Sequence, residues 1–423
     1  MATGTGKTIT SLSAAKNYMQ ENEHIFLIIL VPFTHLADQW EKDCRKFGFN
    51  QILKCYGLKN SWINSLKSKV RDFNIGISYS EIVITTYRSA SFIEFGEIIE
   101  NITHSTFLIG DECHYFGIKN LRHHKFDKIE ARLGLSATPD RWWDESGTKF
   151  LRDYFGKTVF EYTINQAIEN KFLTEYKYFP IVTDFTSDEA DRYEALTKRL
   201  IYMMNSLEFC DEDIEKINRQ RSMIIAKAEN KMTMLYRIFS VKEKAEVSDT
   251  LIYCAPGEVN KVTSELSKMG YRVHRFDSNV STSDRKAILK AFANKEIQIL
   301  VAIKCLDEGV DVPSTREAYF LSSTSNPREF IQRRGRILRK FEGKTMALVY
   351  DFITLPSNVT NAIFVGIATK ELPRFAEFAN HAINKYEARE KVAVYLRPNS
   401  LEHLMDKLPW EVYKESQIMR EGI

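Results

Sequence analysis

Gly4-Thr5-Gly6-Lys7-Thr8 constrains this chain more than any other segment. Closely spaced glycines let backbone N–H groups close around an anion. A following lysine can reach terminal phosphates, and a threonine hydroxyl can sit on Mg²⁺. A helical pattern begins near Thr8, so the positive helix end points at the same place. These residues predict a phosphate-binding loop running from Thr3 through Gly4, Thr5, Gly6, Lys7 and Thr8, with Thr8 on the metal. The full GxxxxGKT pattern is not met, because Met1 stands where its first glycine belongs. Such a loop ordinarily follows a buried strand, and none is encoded ahead of it. The expectation is therefore a chain truncated at this loop.

The 423 residues suffice for two or three domains, each with its own core. A net charge of +3 is too small to announce a nucleic-acid partner, so any basic surface must be local. The six cysteines are scattered with no CxxC pair, which points to a reduced, cytoplasmic protein without a zinc site. Ile25–Val31 is the longest apolar run, far below the roughly 20 residues of a membrane span. No membrane association is expected.

Short apolar runs alternate with helical patterns through the first half, as in βα units around a parallel sheet. Ile25–Val31, Ile82–Thr85, Phe107–Gly110 and Arg132–Leu135 read as strands, and Leu36, Trp40, Cys44 and Phe47 share one helix face. A second series has strands at Thr250–Cys254, Tyr271–Phe276, Ile297–Ala302, Ala318–Leu321 and Met346–Phe352, with helices near Glu258–Met269 and Ser283–Phe292. The segment between the series is charged, rich in Lys and Met, and helical in pattern.

Asp111 and Glu112 end the apolar run from Phe107. A carboxylate there can hold Mg²⁺ while its neighbour polarises a water. Asp111 is read as the metal residue, Glu112 as the base, and His114 as a reporter of phosphate state. Ser136 and Thr138 follow the next strand; their hydroxyls either couple nucleotide state to a neighbouring surface or simply make a turn before Pro139. From Arg328 to Lys344 the chain carries seven basic residues against Glu329 and Glu342. A solvated basic helix is the plain reading of such a run. The spacing of Gln332, Gly335, Arg336 and Arg339 also sets two arginines three apart on one helix face, as arginine fingers need.

The order of these motifs resembles the superfamily 2 helicases and translocases with DEAD/DEAH-type boxes. ATGTGKT is similar to motif I, Asp111–His114 (DECH) to motif II and Ser136–Thr138 (SAT) to motif III. Val31–Trp40 resembles motif Ia, Thr85–Tyr87 motif Ib, Leu251–Pro256 motif IV, Val301–Pro313 motif V and Gln332–Arg339 motif VI. The EGVDVP form of motif V, QRRGRILR, and Glu161–Ile168 followed by Lys171–Thr174 resemble the XPB-like and type III restriction-subunit-like branch. The likeness covers about residues 1 to 355. Ile303 departs from it, standing where many relatives carry a threonine.

The resemblance implies an α/β chain of two RecA-like domains with parallel sheets, a helical connector and a helical tail. Residues 1–183 form the ATP-binding domain, lacking its first strand and Q-motif region. Residues 184–248 are the connector, 249–356 the second RecA-like domain, and 357–423 the tail. ATP and Mg²⁺ are the implied cofactors, held in a cleft between the domains by the loop, Gly309 and Asp311. Lys7, Asp111, Glu112, Gln332, Arg336 and Arg339 are the implied catalytic set. His35, Thr86 and Arg88 are carried over as nucleic-acid contacts. The implied activity is ATP-dependent DNA translocation or unwinding, on duplex or single strand and without sequence preference, in repair, restriction or defence. Alternatives are a restriction motor needing a separate nuclease or methylase partner, an RNA helicase, and a truncated non-catalytic product.

Overall fold

The computed structural model describes residues 1, 4–122, 126–142, 144–206, 210–277, 280–303, 312–322 and 326–421. It divides into two compact units, Met1–Asn170 and Lys171–Ile423.

The first unit runs α1 (Lys7–Glu21), β1 (Ile25–Val31), α2 (Thr34–Lys46), β2 (Ile52–Cys55), α3 (Ile63–Asn74), β3 (Ser80–Thr86), α4 (Tyr87–Ala90) and α5 (Ile93–Glu100). It continues through β4 (Thr106–Asp111), α6 (Lys119–Arg122), β5 (Ala131–Leu135), α7 (Glu145–Phe155) and α8 (Ile164–Glu169). Its five strands lie in the order β2-β3-β1-β4-β5, all parallel. Every residue of β1 is buried, because helices cover both faces of a parallel sheet and leave no polar side. Phe26, Ile28 and Leu30 pack into a core on one face, and Ile25, Leu27, Ile29 and Val31 into a core on the other. Ala37, Trp40 and Cys44 of α2 join the second core, three and four residues apart as a helix face requires.

The second unit contains β6 (Glu175–Thr183), α9 (Ser187–Met204), α10 (Asp211–Ala226), α11 (Glu229–Val241), β7 (Thr250–Tyr253), α12 (Val259–Lys268), β8 (Val273–Phe276) and α13 (Thr282–Ala293). After these come β9 (Ile299–Ala302), β10 (Glu317–Phe320), α14 (Pro327–Ile337), β11 (Met346–Thr354), α15 (Asn361–Ala379), α16 (Lys385–Leu396) and α17 (Pro409–Glu421). Its sheet is β6-β11-β10-β7-β9-β8, again all parallel.

Three boundaries differ from the sequence reading. The units part after Asn170, ahead of 183, because β6 pairs with β11 from Glu175↔Met346 to Thr183↔Thr354. Helix α11 lies within residues read as connector, yet Met232, Leu235 and Phe239 share a core with Ile252, Ile299 and Tyr319 of the second sheet. The tail is not peripheral either: Ile367, Leu372, Phe375 and Phe378 of α15 are fully buried. Arg374 of α15 donates from Nε to both carboxylate oxygens of Asp351 on β11 at 3.0 Å, and from Nη2 to Glu371 at 3.1 Å.

Candidate active site

In a parallel sheet the C-terminal strand ends share one edge, where ligands of such folds are held. Register places Val31 beside Thr86 and Asp111 beside Leu135 on that edge. The loop at residues 4–8 runs into α1. Gly4 and Gly6 hold φ of 84° and 88°, a left-handed backbone that disfavours other residues. A Cβ at Gly6 would meet nothing within 4 Å, so conformation rather than space demands glycine there. The N-cap of α1 is Gly6, which has no side chain with which to cap the helix.

Among the described residues the buried Lys7 Nζ has no hydrogen-bond partner, and it stands 3.6 Å from Glu112 Oε1. The structure therefore brings Lys7 to the acidic pair. Asp111 Oδ1 accepts from the Glu112 N–H at 3.0 Å, and Oδ2 accepts from Trp40 Nε1 at 2.9 Å. Burial, then the Glu112 charge, pushes the Asp111 carboxyl above its ordinary range, against the pull of Lys7 and these donors. Glu112 itself sits at φ 47°, ψ 54°, a strained backbone for a residue with a Cβ. Its Oε2 lies 3.5 Å from Nδ1 of the buried His114.

The other coupling residues divide. Ser136 Oγ accepts from the Thr138 N–H at 3.1 Å, the local turn bond that the plain reading of this segment describes. Further along, Arg141 donates to the His114 carbonyl and, at 2.8 Å, to Asp144 Oδ2. Burial opposes the charge of Asp144, but Arg141, the Gly147 N–H and Arg122 together hold its carboxyl well below the usual range. Arg122 in turn donates to the Gly117 carbonyl at 2.6 Å. This network braces the backbone behind motif II, and sequence reading missed it because Arg122 meets Asp144, and Arg141 meets His114, across 22 and 27 residues.

Among the nucleic-acid candidates, His35 and Arg88 are exposed. Thr86 is buried, and its hydroxyl caps α4 by accepting from the Ser89 N–H at 3.1 Å. That commitment gives Thr86 a structural role of its own. Sequence reading also missed Trp40 and Tyr87 as partners of Asp111, since both fit the apolar pattern of a core.

In the second unit the basic run is sorted by burial. Arg334 is fully buried and donates to Glu377 Oε1 at 2.5 Å, while Arg333 lies with its guanidinium 4.9 Å from the Tyr253 ring centroid. Lys344 donates to the carbonyls of Ile337 and, at 3.0 Å, Arg339, a cation at the end of α14 where the helix dipole favours one. Arg336 is half-buried on α14 and Gln332 is buried there. Helix α14 ends at Ile337, so Arg339 lies past it, bridged to Leu173, instead of on the shared helix face. Thr3, Gly309 and Asp311 lie outside the described residues.

Two family models match the chain: "Type III restriction enzyme, res subunit" over residues 1–141 and "Helicase conserved C-terminal domain" over 230–341. On these matches the chain is similar to the superfamily 2 helicases. It is 25% identical over 373 residues to the DNA 3'-5' translocase XPB2 of Sulfurisphaera tokodaii, covering 84% of this chain and 76% of that protein. Among solved structures, the helicase domain of Pyrococcus furiosus Hef matches with a TM-score of 0.54 at 16% identity, over 86% of this chain and 93% of the domain. The ATP-dependent Type ISP restriction-modification enzyme LlaBIII bound to DNA matches with a TM-score of 0.60 at 18% identity, over 91% of this chain. This chain spans 29% of that enzyme. Both structural likenesses establish the fold as the paired RecA-like α/β architecture expected from the sequence.

Proposed function

We propose that this chain is an ATP-dependent DNA helicase or translocase. The observation that carries the reading is Lys7 Nζ, buried, without a hydrogen-bond partner among the described residues, and 3.6 Å from Glu112 at a glycine-bent helix start. A desolvated ammonium at a helix N-terminus suits a polyphosphate anion. Thr8 and Asp111 supply the oxygen donors that Mg²⁺ takes. The residues present therefore fit Mg²⁺–ATP.

Bound Mg²⁺–ATP supplies the phosphoryl group and the charge that polarises it. Lys7 and the loop N–H groups orient the phosphates. Glu112 takes the proton of the attacking water at a carboxylate oxygen, with His114 beside its Oε2. The resemblance assigns Gln332, Arg336 and Arg339 to the nucleotide as motif VI residues. Gly309 and Asp311 contribute to its site, and His114, Ser136 and Thr138 relay its state. His35 and Arg88 hold the DNA backbone, which gives salt-sensitive binding with little sequence preference.

The test is ATP hydrolysis by the purified chain with single-stranded DNA, duplex DNA or single-stranded RNA. Greater stimulation by DNA supports the reading. Greater stimulation by RNA makes it an RNA helicase, and a folded chain without ATPase is a non-catalytic product. The res-subunit match over residues 1–141 favours a second reading, a restriction motor whose nuclease or methylase is a separate chain. Co-purification from native extract with such a partner distinguishes it from a free-standing motor.

A further inference from the structure

Asp111 is held from both faces of its sheet. Trp40 of α2 donates to Asp111 Oδ2 at 2.9 Å, and the Tyr87 hydroxyl at the start of α4 donates to the Asp111 carbonyl at 2.8 Å. Both rings are 2% exposed; Trp40 belongs to the core on one face and Tyr87 to the core on the other. Each is anchored a short way from an exposed basic side chain: His35 lies in the first turn of α2, and Arg88 follows Tyr87 in α4. Aromatic contacts close the circuit. His35 stacks on Phe33 at 5.7 Å, Phe33 meets Tyr115 edge-on at 5.8 Å, and Tyr115 stacks on Tyr87 at 6.0 Å.

An indole N–H only donates, so Trp40 fixes Oδ2 without competing for a cation. Hydrogen bonds of this kind orient a metal-binding carboxylate and tune its affinity. We propose that Trp40 and Tyr87 are positioning residues that set Asp111 for Mg²⁺ and make metal affinity depend on what α2 and α4 grip. This rests on the ATPase reading above, and it adds a path between the nucleic-acid segments and the metal.

The experiment uses the full chain with ADP and Mn²⁺, reading metal binding by electron paramagnetic resonance, with and without single-stranded DNA. Trp40→Phe removes the N–H together with part of the indole, leaving a small cavity in the core. Tyr87→Phe removes only the hydroxyl, which guards against a folding defect in the first variant. The expected result is about tenfold weaker Mn²⁺ binding in Trp40→Phe and loss, in both variants, of the DNA effect on Mn²⁺ affinity seen in the wild type. As a second readout, Mn²⁺ quenches the part of the tryptophan emission that is missing in Trp40→Phe. Wild-type Mn²⁺ affinity and an intact DNA effect in both variants overturn the proposal, while Lys7→Ala still loses nucleotide binding and leaves the ATPase reading standing. Wild-type protein that binds neither ADP nor Mn²⁺ overturns both.

Discussion

Arg334 and Glu377 form a buried ion pair, Nη2 to Oε1 at 2.5 Å, that fastens the arginine-rich helix α14 to the tail helix α15. Arg334 also donates to the Glu377 carbonyl and, at 3.4 Å, to the Tyr176 hydroxyl. Removing one member of a buried pair leaves an uncompensated charge and costs about 3–5 kcal/mol. Glu377→Ala is therefore expected to lower the urea midpoint of the second unit sharply. The double replacement Arg334→Met with Glu377→Met is expected to recover much of that loss, and urea denaturation of both variants checks it.

Arg336 stands two residues on from Arg334 but is half-buried. Arg336→Ala is expected to leave the urea midpoint close to wild type and ATP binding intact. DNA-stimulated hydrolysis is expected to fall by about 10³-fold or more, the range for loss of an arginine finger. Parallel measurements of melting, nucleotide binding and turnover separate this outcome from that of Arg334.

Most strands of the two sheets were legible because each rests on local patterning, although Ile52–Cys55 was not read as one. Ile25–Val31 reads as a buried strand and is one, residue for residue. What stayed hidden depends on partners far apart in sequence. β6 alternates exposed and buried residues and contains Pro180, so only its pairing with β11 reveals it as a strand of the second sheet. Likewise Trp40 and Leu36 share an apolar face, and nothing local says that the indole N–H reaches Asp111. The basic run from Arg328 to Lys344 looked uniform; Glu377 and the α14 carbonyls decide which of its cations are structural.

Glu112 is held at a φ of 47°. Glycine relieves such a conformation, which costs of order 1–3 kcal/mol for other residues. Glu112→Gly is thus expected to be more stable than Glu112→Gln, by about 1 kcal/mol. Both are expected to lose hydrolysis by about 10²-fold or more, since neither offers a base. Denaturation and single-turnover kinetics on the pair check the two halves of this expectation.

Burial and the neighbouring Glu112 raise the Asp111 carboxyl above its ordinary value. Its metal-free contribution to stability is therefore greatest below the ordinary carboxylate range and is lost as pH rises through the raised value. Protons and metal compete for the same oxygens. The Mg²⁺ concentration at half-saturation is expected to climb as pH falls from 8 toward 5, beginning at a higher pH than an unperturbed carboxylate would give. Nucleotide binding titrated with Mg²⁺ across that range measures it.

Lys7 and the Asp111–Glu112 pair are proposed to form a nucleotide-hydrolysing site answering to DNA. Steady-state ATP hydrolysis by wild type and Lys7→Ala, each with and without DNA at low salt, tests it most directly. DNA is expected to stimulate the wild type, and Lys7→Ala is expected to remain at background in both conditions. Hydrolysis by Lys7→Ala at the wild-type rate, or a wild-type rate indifferent to DNA, would contradict it.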